Sequence, residues 1–484
     1  MSQYVLEAKD CLPFEVKDGK PKQFTIDTAM RQFCNYWYKT DGSSDNDDYL
    51  ARMNTSLAFD NSENPTTQWW AGRYIGIARL RVPVSNSTIH HFNINIRPRF
   101  GENFLLVILE DLYNIRVGKH DAKDTQSSEW FSSLLYLLQK RIWVEKCSKA
   151  NRYGLPRTNV KYEHQGTTLR GALDVNRTII PWLIHKEVRT NTYEKTLDEH
   201  ICKIVYEAHR ILSRSVISQE SKKKKSTNIS VGFGFSMPST VQDTINALNT
   251  QFKGTQFCLN ENDYQRIRYK SIYQSWKPLV DFSWSIIRGR QLGYTASDSQ
   301  TECVFVDMAE IWEAFLRKKL GEGLFNDGWR VWSVEDCHCT IYEKTFFKRV
   351  IIPDIILQKE DKFIIFDAKY KRMRGEKKKV KESDVDRADL FQIHTYIQYV
   401  QHHLGKVVLG GLLYPLEVDV NVSNLIDFHS DQLFGIEGKE TIPFIIDGIY
   451  CNEKEMNSIK PEEIAKEMGK RVEDMINRIK KYIN

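Results

Sequence analysis

Apolar and polar positions along the chain fall into three regimes. Up to about residue 60 no period is sustained: Phe14 to Thr28 mixes charge with isolated hydrophobics, and Asp41 to Asp48 is a polar loop. From Trp69 the pattern becomes extended. Tyr74–Ala78 and Arg79–Val84 predict strands, and Ile89–Pro98 alternates with Phe92, Ile94 and Ile96 on one face. A helix follows over Asn103–Tyr113, its stripe formed by Phe104, Leu105, Ile108, Leu109 and Leu112. The middle of the chain carries helical periods over Trp130–Cys147, Thr196–Ser215 and Tyr264–Ile287, with a short extended or turning segment at Thr168–Asp174. Its frequent aromatics sit at helical spacing and predict core packing. Near Cys303 a third regime opens. Phe305–Met308 leads into a helix over Ala309–Leu320 with Ile311, Trp312, Phe315 and Leu316 on one face. Two almost wholly apolar runs, Phe363–Phe366 and Val407–Tyr414, predict strands buried on both faces. Pro461–Asn484 is a basic amphipathic helix expected to dock on its own domain. The expected fold is therefore α/β. It has an N-terminal β-rich module over residues 1–125, a mainly helical region over 126–300, and a mixed sheet flanked by helices over 301–484.

Chemistry concentrates at the end of the first apolar run, where Asp367-Ala368-Lys369 closes the strand. Side chains alternate along a strand, so Asp367 and Lys369 share a face and Ala368 points away. A carboxylate and an ammonium at the end of a core strand are costly without compensation. A divalent cation supplies it, with Asp354 of Pro353-Asp354 as a second ligand from the preceding strand. Mg²⁺ takes oxygen ligands and keeps several waters, so Asp354, Asp367 and the Ala368 carbonyl suffice to hold it. The plainer reading is a turn at Pro353-Asp354 and a strand-end ion pair.

Composition adds boundaries. The 484 residues, 41% hydrophobic and 27% charged, accommodate two or three domains with proper cores. Neither a membrane-length apolar run nor a signal-peptide pattern is present, and nine unpatterned cysteines fit a reducing, cytoplasmic setting. Cys337-His338-Cys339 has no matching pair at a zinc-binding distance. The net charge is +6, yet Lys369 to Lys381 alone holds eight Lys/Arg against Glu376. A basic loop leaving the strand that carries Asp367 would lie where a phosphate backbone passes, which makes Lys371, Arg372, Arg374, Lys377, Lys378 and Lys379 candidate DNA contacts. A solvated charge run is the alternative.

Pro-Asp, spacer, Asp-x-Lys resembles the signature of the PD-(D/E)xK nuclease superfamily. That resemblance implies that Lys369 orients or activates the attacking water, and that an acid on the first helix, here Glu313, approaches the metal. Asp389, Gln392 and Tyr396 share one helix face and match the Q-x-x-x-Y element of several superfamily members, which implies that Gln392 and Tyr396 lie near the active site and the substrate phosphate. More widely, the chain resembles the McrC family of McrBC-type and LlaJI-like restriction systems. The matching segments are Gly72–Gly76 read as a turn, Ile96-Arg97-Pro98-Arg99-Phe100, Leu169-Arg170-Gly171-x-Leu173-Asp174, Phe305–Glu313 and Pro353 to Gln392. Residues 1–60 show no match, and arginine stands at Arg99 where the family usually places a lysine nearby. The resemblance implies a Mg²⁺-dependent DNA endonuclease subunit. Its N-terminal portion would engage and stimulate a hexameric McrB-like AAA+ GTPase. The chain has no G-x-x-x-x-G-K-[ST] of its own, consistent with that division of labour. With one such motif per chain, double-strand cleavage calls for a second copy. A stand-alone restriction or repair nuclease and a non-catalytic adaptor are the competing readings.

Overall fold

The computed structural model describes residues 2–22, 24–30, 57–59, 67–85, 88–113, 128–223, 237–291, 303–334, 336–337, 339–341, 349–371, 385–417, 442–459 and 461–483. The loop at 41–48 and the basic residues Arg372, Arg374, Lys377, Lys378 and Lys379 lie outside them, as does His338. The chain has a mixed α/β fold and divides into two compact units. One joins residues up to 135 with those from 292 onward; the other comprises most of residues 136–291. The sequence pattern suggests three consecutive segments, whereas the first unit is assembled from the two ends of the chain.

The first unit contains two five-stranded sheets. In the N-terminal sheet, Ser2–Lys9 runs parallel to Thr88–Arg97 and antiparallel to Glu15–Asp18. Thr88–Arg97 pairs with Tyr74–Ser85, whose other edge receives Cys303–Asp307. The two strands predicted between Tyr74 and Val84 are thus one long strand. The expected turn at Gly72–Gly76 is also mostly strand, because Gly76 sits between Phe305 and Ile96 in the ladder. A Cβ there would collide with the Val304 carbonyl and the Phe305 ring. Phe92, Ile94 and Ile96 are all buried, as their alternation requires.

The second sheet of this unit has the strand order Arg330–Val331, Ile355–Lys359, Lys362–Ala368, Lys406–Leu416, Phe444–Tyr450. The first three are antiparallel and the last three parallel. The turn between the second and third strands places Glu360 at φ 55°, a left-handed conformation that such tight hairpins demand. The parallel crossover is the helix Arg387–His403, capped by Asp386, whose carboxylate accepts from the Ala388 N–H at 2.9 Å. Ile393, Ile397 and Val400 of that helix are buried in one cluster with Ile356, Phe363, Ile365, Leu412 and Phe444. Gly410 permits this close packing, since a Cβ would strike Ile397. Helices Met308–Gly323 and Pro461–Ile483 also pack on this sheet. The latter buries Ile464, Met468, Val472, Met475, Ile476 and Ile479, the stripe its sequence predicts. With helices to cover them, the strands are apolar along nearly their whole length.

The second unit is mainly helical, and its core gathers Trp143, Val205, Leu248, Trp276 and Leu279 from separate helices. It also contains a three-stranded antiparallel sheet that the sequence pattern does not announce: Arg157–Gly166 and Ala172–Leu173 flank Val188–Leu197. Two sequence-derived helices are bounded differently. The strand Val188–Leu197 consumes the start of the expected Thr196–Ser215 helix, which begins at Glu199. Tyr264–Ile287 breaks into Glu261–Gln265, a 3-10 turn at Ser271–Trp276, and Lys277–Gln291. Pro278 fits the first turn of the last, where no N–H is needed.

Candidate active site

The sheet delivers two carboxylates and an ammonium to one place. Asp354 precedes the strand Ile355–Lys359, whose neighbour ends in Asp367 and Ala368. The Asp354 carboxylate crosses between them, Oδ2 accepting the Ala368 N–H at 2.8 Å. Asp367 is wholly buried, and among the described residues its Oδ1 accepts no hydrogen bond. Lys369 Nζ lies 2.5 Å from Asp367 Oδ2 in an ion pair. Lys369 also donates to Gln392 Oε1 at 2.8 Å and stands 3.3 Å from Asp389 Oδ1. Gln392 passes the contact on, its amide donating to the Tyr396 hydroxyl at 2.6 Å.

Electrostatics follow from burial. Desolvation, reinforced by the charges of Asp367 and Glu313, pushes the Asp354 carboxyl well above the usual carboxylate value. Desolvation also raises Glu313, against the pull of Arg317 and with added repulsion from Glu310 and Asp367. Burial works against the charged form of Lys369, but Asp367 and Asp389 outweigh it and raise its pKa. The site is therefore rich in buried negative charge with one principal cation. Arg317 ties Glu313 in place, donating to Glu313 Oε1 at 2.9 Å and to the Asp354 carbonyl.

The structure brings Asp354, Asp367, Ala368, Lys369 and Gln392 together, and Glu313 lies close enough to feel Asp367. Tyr396, expected near the active site and the substrate phosphate, is buried, with its hydroxyl accepting from Gln392 and close enough to feel Asp367, Asp354 and Lys369. Lys371 is half exposed, but its ammonium is committed to Asp386 and to both oxygens of Asp389. Asp389 thus receives two lysines, a role its place on the helix face did not disclose. Sequence reasoning also missed Arg317, although its position four residues after Glu313 on one helix was a usable signal.

Among the described residues, no three His, Cys, Asp or Glu side chains converge as a ready-made metal site. A two-carboxylate Mg²⁺ site needs fewer, because water and a backbone carbonyl complete the shell. The donor set here is all oxygen, and the buried Asp367 carboxylate, whose Oδ1 has no hydrogen bond among the described residues, is the kind of group a hard cation would satisfy. The residues fit the ion.

Two solved assemblies resemble the chain at low identity. One is a refined half-complex from a tetradecameric assembly of Thermococcus gammatolerans McrB AAA+ hexamers with bound McrC; it is 18% identical, covering 99% of this chain and 100% of that one, with a TM-score of 0.38. The other is the cryo-EM McrBC complex of Thermococcus gammatolerans, 17% identical over 67% of this chain and 88% of that one, with a TM-score of 0.31. No curated protein matches. The family model for McrBC 5-methylcytosine restriction system components, however, matches residues 71–415, a span running from the strand Tyr74–Ser85 through Asp354, Asp367 and Lys369 to the end of Lys406–Leu416. The chain belongs to that restriction-system family, in agreement with the McrC-like motifs in its sequence.

Proposed function

We propose that this chain is the nuclease component of its restriction system, hydrolysing DNA phosphodiester bonds at Asp354, Asp367 and Lys369. One observation carries the reading: a fully buried aspartate, its Oδ2 against the Lys369 ammonium and its Oδ1 without a hydrogen bond among the described residues, sits beside a second buried carboxyl. A purely structural ion pair would satisfy both oxygens; a site built for a cation leaves one available. Asp354 and Asp367, with the Ala368 carbonyl, would hold Mg²⁺. When bound, Mg²⁺ lowers the pKa of a coordinated water and offsets charge growing on the phosphate. Lys369 then faces the attacking water. Gln392 and Asp389 hold its ammonium in position, and its charge counters that of the pentacoordinate phosphorus. The water oxygen bonds to phosphorus and gives up a proton to solvent, the bond to the leaving sugar oxygen breaks, and that oxygen takes up a proton in turn.

As a restriction-system component the chain is expected to act with an AAA+ GTPase partner and to stimulate it. A surface in the second unit supports a protein partner. The helix Val175–His185 exposes Val175, Ile179, Ile180, Trp182, Leu183 and Ile184 together. Exposed large apolar side chains concentrated on one short helix are what an interaction site presents. The β-rich N-terminal module, where the sequence located partner binding, offers no comparable patch among its described residues: Val16 and Phe24 are its exposed large hydrophobics.

The test is cleavage of methylated and unmethylated plasmid with Mg²⁺, for wild type and Asp367→Ala, with and without the AAA+ protein and GTP. The expected result is a cut by wild type that needs partner and GTP, and none by Asp367→Ala while GTP hydrolysis continues. Cleavage without the partner would leave a stand-alone nuclease. Undiminished cleavage by Asp367→Ala would remove the site. Complete double-strand scission by a chain shown to be monomeric would exclude the requirement for two copies.

A further inference from the structure

Behind Lys369 lies a buried charge that the proposed chemistry does not use. Asp10 follows the strand Ser2–Lys9 and Arg99 follows its parallel neighbour Thr88–Arg97, so both leave the same end of the N-terminal sheet. Asp10 is completely buried, and its Oδ1 accepts the Arg99 N–H at 2.6 Å. The Arg99 side chain is 2% exposed, with Nε 3.8 Å from Asp10 Oδ2. Its guanidinium lies over two rings, Phe100 at 4.6 Å and Tyr370 at 4.7 Å, and Nη2 donates to the Lys371 carbonyl at 3.1 Å.

These contacts fall on the two residues that follow Lys369. Alternation places Lys369 and Lys371 towards Asp389 and sends Tyr370 to the reverse side, where it is buried against Arg99 and Phe100. The backbone is held step by step: Ala368 N–H by Asp354, Lys369 N–H by the Leu413 carbonyl at 2.9 Å, and Lys371 C=O by Arg99. The regular strand ends at Ala368. Past that point Arg99 takes over the restraint that a ladder would have supplied. A buried ion pair is seldom the most stabilising filling for a core; apolar side chains of similar volume often serve as well. A planar fork that grips a ring and a carbonyl together does what an apolar filling cannot.

We propose that Arg99 is a positioning residue for Lys369, acting through Tyr370 and the Lys371 carbonyl to fix the backbone from which the lysine ammonium reaches Asp367. The inference rests on the nuclease reading of the site. It couples the N-terminal sheet directly to the reacting lysine.

The experiment is a double-mutant cycle on the full chain with its AAA+ partner, GTP, Mg²⁺ and plasmid DNA, measuring single-turnover cleavage and DNA affinity. Arg99→Met should slow cleavage by about tenfold or more, as small misplacements of catalytic groups do, with DNA affinity within about twofold of wild type. In a Lys369→Ala background the same change should cost less than about twofold, because its route of action is gone. Tyr370→Leu, which removes the ring but no charge, should reproduce both results and stands in if Arg99→Met does not fold. Wild-type cleavage by Arg99→Met, or an undiminished further loss in the Lys369→Ala background, would overturn the proposal while leaving the nuclease reading intact. A wild-type chain that does not cut, or a Lys369→Ala variant that cuts as well as wild type, would remove the reading itself and the proposal with it.

Discussion

Replacing Asp10 by asparagine gives a prediction whose sign is counter to the usual intuition about ion pairs. Burial raises the Asp10 carboxyl from 3.8 to about 6, even though Arg99 charge and the Arg99 N–H pull the other way. The folded chain therefore binds this proton more tightly than the unfolded chain does. Stability from this group is fully present below the unfolded pKa and is lost as pH rises through about 6. A displacement of that size corresponds to about 3 kcal/mol at 1.36 kcal/mol per pKa unit. Asparagine does not titrate and can still accept the Arg99 N–H. Asp10→Asn should therefore match wild type near pH 3 and exceed it by about 3 kcal/mol at pH 7.5. The assay is urea denaturation of both chains across this range, read at the transition that moves, with the second unit as internal reference. Groups common to both chains cancel in the difference. A variant less stable than wild type at pH 7.5 would refute the reasoning: it would mean that the attraction of Arg99 exceeds the desolvation of the carboxylate.

Three further outcomes are expected. Mg²⁺ should raise the thermal midpoint of wild type but not of Asp367→Ala, since a ligand that binds only the folded site stabilises it by mass action; a scan with and without the ion checks this. Gln392→Ala removes the Lys369 Nζ partner at 2.8 Å and should slow single-turnover cleavage by about tenfold without altering DNA affinity. Trp182→Asp or Ile180→Asp, at exposed positions, should leave the unfolding midpoint within about 0.5 kcal/mol of wild type yet weaken stimulation of the partner's GTP hydrolysis.

The sheet that carries Asp367 was legible because helix-covered strands are continuous apolar runs, and Asp367 and Lys369 interrupt one such run abruptly. The sheet of the second unit was not. Val188–Leu197 reads Val-Arg-Thr-Asn-Thr-Tyr-Glu-Lys-Thr-Leu, and only Thr190 within it is buried, so no apolar period exists to detect. Its pairing with Arg157–Gly166 rests on backbone hydrogen bonds and β-branched residues instead. The Asp10–Arg99–Tyr370 cluster was hidden for another reason. An isolated aspartate and arginine predict a wet surface, and only contacts spanning 89 and 272 residues reveal that they are dry.

The order in which the chain supplies its strands bears on biosynthesis. The edge of the N-terminal sheet is filled by Cys303–Asp307, so Tyr74–Ser85 leaves the ribosome long before its neighbour exists. At ordinary elongation rates the wait is roughly ten to forty seconds. During that interval an open strand edge bearing Ile75 and Ile77 invites illegitimate pairing, while the second unit can already collapse on its own core. The strand that carries Asp367 follows later still. Chaperone demand should therefore centre on the earliest-made strands.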